Sequence, residues 1–173
     1  RRDLEAFEQV YRTFNRPVYT LALRLLGHET EAYDLMQDCF LKVYEQIGQF
    51  RQDAPFWGWL RSIAVNLALM RLRGRRPLEE LDTATLEAHS DGAPDPLAAV
   101  SAHDLKRALA RLPALSRAVL WLYHVEGYTH EEIARSFDRT VSFSKSQVAR
   151  ASARLRDLLS EEEGSWNPAT MPC

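Results

Sequence analysis

The sequence predicts an all-α chain: two small helical domains joined by a flexible linker, the C-terminal one a helix-turn-helix. Three observations predict it. Apolar residues recur at helical spacings of three and four from Phe7 to Leu158, and no alternating run argues for a strand. Between Arg75 and Pro96 the stretch RRPLEELDTATLEAHSDGAPDP interrupts that pattern with prolines, a glycine and many acidic or small residues. Near the C-terminus two short helical patterns follow one another across a tight break. The expected division is residues 1–76, a linker at 77–96, residues 97–160, and a disordered tail at 161–173.

Phe7, Val10, Tyr11 and Phe14 make the inner face of a first helix. Pro17 suits the first turn of the next, which continues through Val18, Leu21, Ala22, Leu25 and Leu26 to a C-cap at Gly27. Ala32, Leu35, Met36, Cys39, Phe40, Val43, Tyr44 and Ile47 then form the cleanest apolar stripe. Its outer side carries Asp34, Gln37, Asp38 and Leu41, an acidic patch with one apolar member; a solvated face is the other reading. Gly48 ends this helix.

The stretch from Phe50 to Arg76, FRQDAPFWGWLRSIAVNLALMRLRGRR, begins with aromatic residues around Asp53 and Pro55. It continues as a helix through Leu60, Ile63, Ala64, Leu67 and Ala68, and closes on Arg71, Arg73, Arg75 and Arg76. Rings that stack bases, followed by arginines that neutralise phosphates, are what a binder of unpaired nucleic acid needs. A ring core followed by a solvated helix end fits the same residues.

In the second half Leu97, Val100, Leu105, Ala108, Leu109 and Leu112 form one face, stopped near Pro113. Val119, Leu120, Leu122 and Tyr123 form another, ending at Gly127. Thr129-His130-Glu131-Glu132 is a capping-box pattern opening a short helix with Ile133, Ala134 and Phe137 inward. After a break at 138–142, the last helix sets Val148, Ala151, Leu155 and Leu158 against a front of Lys145, Ser146, Gln147, Arg150 and Arg154. A recognition helix meets the major groove with such first turns, although turned helices also occur without DNA.

Composition narrows the function. The net charge of −2 over 173 residues gives no global basic field, so a nucleic-acid role rests on local patches. Cys39 lies in an apolar stripe far from Cys173, which predicts a buried free thiol in a reducing cytosol. No apolar run reaches membrane-spanning length, and RRDLEAF is no signal peptide; lacking Met, the chain is expected to be preceded by a few residues. His130-Glu131 opens like a zinc-protease motif, but Ala134 stands where the second His belongs. Asp34 and Asp38 alone make a poor cation site, and no nucleophile elbow, phosphate-cradling glycine loop or paired carboxylate speaks for an enzyme.

Two segments carry a family resemblance. EAYDLMQDCFLKVYEQIGQF with WGWLRSIAVNLALMRLRGRR resembles region two of bacterial RNA polymerase sigma factors of the extracytoplasmic-function type. LPALSRAVLWLYHVEGYTHEEIARSF with KSQVARASARLR resembles their region four. The likeness covers residues 4–159, and both segments in this order across an acidic linker are highly specific.

The resemblance implies a bacterial, cytoplasmic alternative sigma factor that recognises −35 duplex, captures the melted −10 strand and works with core RNA polymerase. It implies no cofactor, small-molecule substrate or direct membrane insertion, and control by an anti-sigma factor that can recruit it to the inner membrane. Asp34, Leu35, Gln37 and Asp38 correspond to the surface docking on the polymerase clamp helices. The loop containing Phe50, Arg51, Gln52 and Phe56 corresponds to the base-capturing loop, and Asn66 to an Asn facing the same strand. Arg61, Arg71, Arg73, Arg75 and Arg76 would hold phosphates, while Lys145, Ser146, Gln147 and Arg150 match positions that read the −35 element. A stand-alone helix-turn-helix regulator is the alternative, but it has no use for the stretch 50–76.

The sequence departs from the family pattern in the turn. Asp138 replaces the usual Gly, and Ser142-Phe143-Ser144 replaces Gly-Thr-Val. Either Phe143 supplies the lost packing, or the helix starts later with Ser144 and Gln147 as a second capping box.

Overall fold

The computed structural model describes residues 4–51, 53, 55–74 and 101–164, and every regular element among them is helical. The chain divides into two compact units between Arg76 and Pro77. The predicted linker at 77–96, with Leu97 and Val100 beyond it, lies outside the described residues, as does the chain after Gly164.

The first unit contains α1 (Leu4–Leu26), α2 (Glu29–Gln46), a 3-10 turn (Ile47–Gln49) and α3 (Phe56–Gly74). Each of its three α-helices packs on the other two. The expected break at Pro17 does not occur, because α1 runs straight through it. Proline inside a helix costs about 3 kcal/mol. Here Pro17 is exposed, while Val18, Leu21, Ala22, Leu25 and Leu26 behind it are buried. At about 1.5–3 kcal/mol for each large apolar side chain, that burial offsets the loss. Ahead of it, Phe7 and Tyr11 meet Phe40 edge-on at 6.4 and 4.8 Å. Gly27 turns α1 into α2 with φ +81°, a left-handed conformation that suits glycine.

The core of this unit joins Leu25, Leu26, Leu35, Leu60 and Leu69, all fully buried. Cys39 lies among these helices as a buried free thiol, as the sequence predicts. Its Sγ faces the Leu60 carbonyl at 4.0 Å, and burial pushes its pKa up to about 12.

The second unit contains α4 (Ala102–Arg111), α5 (Ala114–His124), α6 (His130–Phe137) and α7 (Val141–Gly164). The long α7 is its spine, packing on all three of the others. Ser101 caps α4, its hydroxyl accepting from the Asp104 N–H at 3.1 Å. Ala108, Leu109 and Leu112 meet Ala151, Leu158 and Leu159 in one core, with Trp121 and Leu155 against it. Leu105 and Tyr123, expected inside, are exposed, although they share their helix faces with buried Ala108, Leu109, Val119 and Leu120.

The helix runs past the boundary expected at residue 161: α7 continues to Gly164, carried one turn onward by buried Leu158 and Leu159 and by an Arg111–Glu161 ion pair at 3.0 Å. Among the described residues no helix is long and apolar enough to cross a membrane.

Candidate nucleic-acid interface

The helix-turn-helix is assembled by backbone and side-chain caps. Thr129 opens α6 with the predicted capping box: its hydroxyl accepts from the Glu132 N–H at 3.2 Å, and its own N–H donates to the Glu132 carboxylate at 2.8 Å. The bond from that backbone N–H, more than the hydroxyl or Arg135, holds the Glu132 carboxyl below its ordinary pKa.

At the other end Asp138 is left-handed, with φ 53° and ψ 49°. Its N–H donates to the Arg135 carbonyl at 3.2 Å and the Arg139 N–H to the Ala134 carbonyl at 2.9 Å. This is a Schellman closure with aspartate in the usual glycine place.

The recognition helix starts earlier than the capping-box alternative supposes. Thr140 is its N-cap, the hydroxyl accepting from the Phe143 N–H at 3.2 Å, so Ser144 already lies in the second helical turn. Ser144 and Gln147 fall on the inner stripe with Val148 and Ala151, and all four are buried. The buried Ser144 hydroxyl pairs with His130 Nδ1 at 3.1 Å, and the His130 ring stacks on Tyr123 at 4.4 Å and 15°. The hydrogen bond ties α6 to α7 and the ring stack ties α6 to α5, at the place where the family pattern has an apolar residue. His130, suggestive of metal chemistry in the sequence, serves this tie.

This register corrects one predicted DNA contact. Gln147 is only 4% exposed, facing the unit's own interior rather than the exposed front of α7. Lys145 and Ser146 are exposed and Arg150 is half-buried; its Nε is buried and makes no hydrogen bond among the described residues. Ser142 and Ala149 share the exposed side; the sequence reading places Ser142 in the break and gives Ala149 no face. Counting helical steps from Thr140 would have found both.

In the first unit α3 buries Leu60, Ile63, Ala64, Val65, Ala68, Leu69 and Leu72. The residues left outward run along one stripe: half-buried Trp59 and Ser62, then exposed Asn66, Met70 and Arg73. Ser62 donates its hydroxyl proton to the Trp59 carbonyl at 2.7 Å, so it is already committed. Arg61 is half-buried.

The aromatic residues ahead of α3 form a connected ring cluster. Phe56 touches Phe14, Phe50 and Trp59 at centroid distances of 5.4, 5.3 and 5.6 Å. Trp57 stacks on Phe14 at 5.9 Å. The ring-core reading of this stretch therefore holds for Phe56 and Trp57. Phe56 is a ring pedestal, while Phe50, also half-buried, sits at the edge beside exposed Arg51. Gln52, Arg75 and Arg76 lie outside the described residues.

The acidic patch on α2 is present, with one correction. Asp34, Gln37 and Asp38 are exposed, but Leu35 has no exposed surface and belongs to the core stripe. The apolar member of the patch is Leu41, 63% exposed. Asp38 is in turn ion-paired with Arg71 of α3. Arg71, expected to hold phosphate, is thereby committed to α2 because its position on α3 faces the neighbouring helix rather than the outer stripe.

The chain is thus a two-unit helical protein, with a ring-and-amide face in one unit and a helix-turn-helix in the other. Sigma-70 region 2 matches residues 10–77 and Sigma-70 region 4 matches residues 102–155. The ECF RNA polymerase sigma factor SigM of Mycobacterium tuberculosis is 35% identical over 157 residues, covering 91% of this chain and 79% of that one. The ECF RNA polymerase sigma-E factor of Escherichia coli is 30% identical over 162 residues, covering 86% and 84%. Among solved structures, the sigma factor RpoE of Bartonella quintana, in complex with the anti-sigma factor NepR, is similar with TM-score 0.55 and 28% identity. That match spans 90% of this chain and 98% of the other.

The chain belongs to the ECF sigma factors of the sigma-70 family. It is an alternative sigma factor, a subunit that joins core RNA polymerase and directs promoter-specific initiation.

Proposed function

We propose that the outer stripe of α3 and the loop at Phe50 hold the melted −10 strand, while the first turns of α7 read the −35 duplex. The observation that carries this reading is the stripe itself: Asn66 and Arg73 stand exposed in line with Trp59, which touches Phe50 at 5.4 Å. An amide for a base edge, a guanidinium for a phosphate and adjoining rings suit an unstacked strand. In the second unit Lys145 and Ser146 supply phosphate and base-edge contacts, with Arg150 beside them. Asp34, Gln37, Asp38 and Leu41 form the docking face for core polymerase.

Energetics favour a subunit over a free-standing regulator. Extracting a base costs a few kcal/mol. One stacked ring returns about 1–3 kcal/mol, and one good base contact about 1–3 kcal/mol. With a net charge of −2 the free chain gains little general attraction to DNA. Tethering both units to polymerase raises their effective concentration and makes weak contacts additive.

An anti-sigma factor is the proposed regulator, supported by the similarity to a sigma factor solved with one. The factor then works in the bacterial cytoplasm, and membrane recruitment is a property of that partner.

The test is permanganate footprinting of holoenzyme on a cognate promoter. Asn66→Ala should reduce strand opening more than closed-complex formation. Equal loss at both steps would remove the strand-capture role of α3, and strong promoter binding by the chain without polymerase would favour the stand-alone regulator.

A further inference from the structure

The outer stripe of α3 contains one residue that does not fit a solvated face. Met70 is 60% exposed, although the core side of the same helix is already filled by Ala68, Leu69 and Leu72. It stands one helical turn after Asn66 and three residues before Arg73, both exposed. A rise of about 1.5 Å per residue puts Met70 about 6 Å beyond Asn66 along the axis. Side chains one turn apart address successive positions of an extended strand. The geometry points to Met70 as a specificity-determining residue that places its thioether against the base next to the one met by Asn66, favouring thymine.

The chemistry is that of a soft, unbranched side chain. Methionine is at best a weak hydrogen-bond acceptor, so it discriminates little by hydrogen bonding, but it packs against a ring face or a methyl group. Thymine is the DNA base that presents a methyl group, and apolar contact with it is a recognised form of readout. The flanking amide and guanidinium supply the polar contacts that a lone apolar side chain lacks. Partner protein is the less fitting occupant, because Arg73 on the same stripe calls for an anion. The inference rests on α3 facing the melted strand, as proposed above.

The experiment uses holoenzyme and promoters bearing dT, dU or dC on the melted strand, scanned one position at a time. Replacing dT by dU removes the methyl group alone. At one position the wild-type complex should lose about three- to fourfold in opening when dT becomes dU, the effect of one buried methyl group. Met70→Ala should abolish that discrimination and Met70→Leu should retain part of it. If Met70→Ala keeps the wild-type dT/dU profile while Asn66→Ala still impairs opening, the Met70 assignment is overturned and the role of α3 stands. If neither substitution affects opening, the reading of α3 fails. If Met70→Ala instead weakens the pull-down of core polymerase, the residue contacts protein and the inference is wrong.

Discussion

Asp38 and Arg71 are joined in an ion pair between α2 and α3, with Asp38 about half exposed and Arg71 less so. Each was expected to face a different macromolecule, the carboxylate towards polymerase and the guanidinium towards DNA. An exposed pair of this kind contributes only about 0.2–1 kcal/mol, so its loss should hardly disturb folding. Asp38→Arg should therefore leave the urea midpoint nearly unchanged. It should weaken core-polymerase binding by about tenfold or more, the equivalent of about 1.4 kcal/mol. The exchange Asp38→Arg with Arg71→Asp restores the pair in reverse and should not restore docking. Recovery of polymerase affinity in that double variant would show that the pair, rather than the patch, matters to the partner.

Asp138 closes α6 with a left-handed backbone that glycine would adopt freely. A residue with a Cβ in that region costs about 1–2 kcal/mol, somewhat less for aspartate, whose side chain bonds locally. Asp138→Gly should stabilise the second unit by up to about 1 kcal/mol. Slower hydrogen exchange at the amides of α6 and α7 would report it, and faster exchange would show that the aspartate side chain secures the turn.

The contact between His130 Nδ1 and the Ser144 hydroxyl predicts a coupled pair of substitutions. Ser144→Ala should cost about 0.5–1.5 kcal/mol, because it removes one hydrogen bond to a half-buried partner. His130→Ala should cost more, since it also removes the ring stacked on Tyr123. Once His130 is gone, Ser144→Ala should add less than it does alone. Strict additivity of the two in denaturant titrations would mean that the hydrogen bond contributes nothing.

Much of this architecture was legible because its signals are local. The capping box at Thr129 and the stripe from Ala32 to Val43 follow from helical spacing and appear as read, whereas Tyr44 is half-buried and Ile47, read into the same stripe, is exposed. The misreadings share a cause, namely that tertiary packing decided between locally equal options. Pro17 reads as a boundary until the burial of Val18 to Leu26 is weighed against it. Gln147 reads as a DNA contact because it lies in the first turns of the last helix and matches the family pattern, yet Thr140 sets a helical register that turns it inward. Leu35 carried two incompatible readings, core stripe and docking face, and helical geometry permits only the first. Arg71 looked like one of a uniform arginine run, and only the placement of α2 separates it from Arg73.

Cys39 makes a prediction about pH and reactivity that isolates one buried group. Its thiol is neutral at ordinary pH, and desolvation raises its pKa from 9.0 to about 12. The unfolded chain ionises this thiol near 9.0 while the folded protein does not. The contribution is therefore fully present below pH 9.0 and is lost as pH rises towards about 12. Stability in urea should fall between pH 8.5 and 10.5, and a Cys39→Ala variant, though less stable overall, should fall less steeply (pH values approximate). Iodoacetamide should label Cys39 in native protein only at the rate of unfolding, since the thiolate is both scarce and covered. Rapid labelling of Cys39 under native conditions, or identical pH slopes for the two proteins, would contradict the burial of this thiol beneath α3.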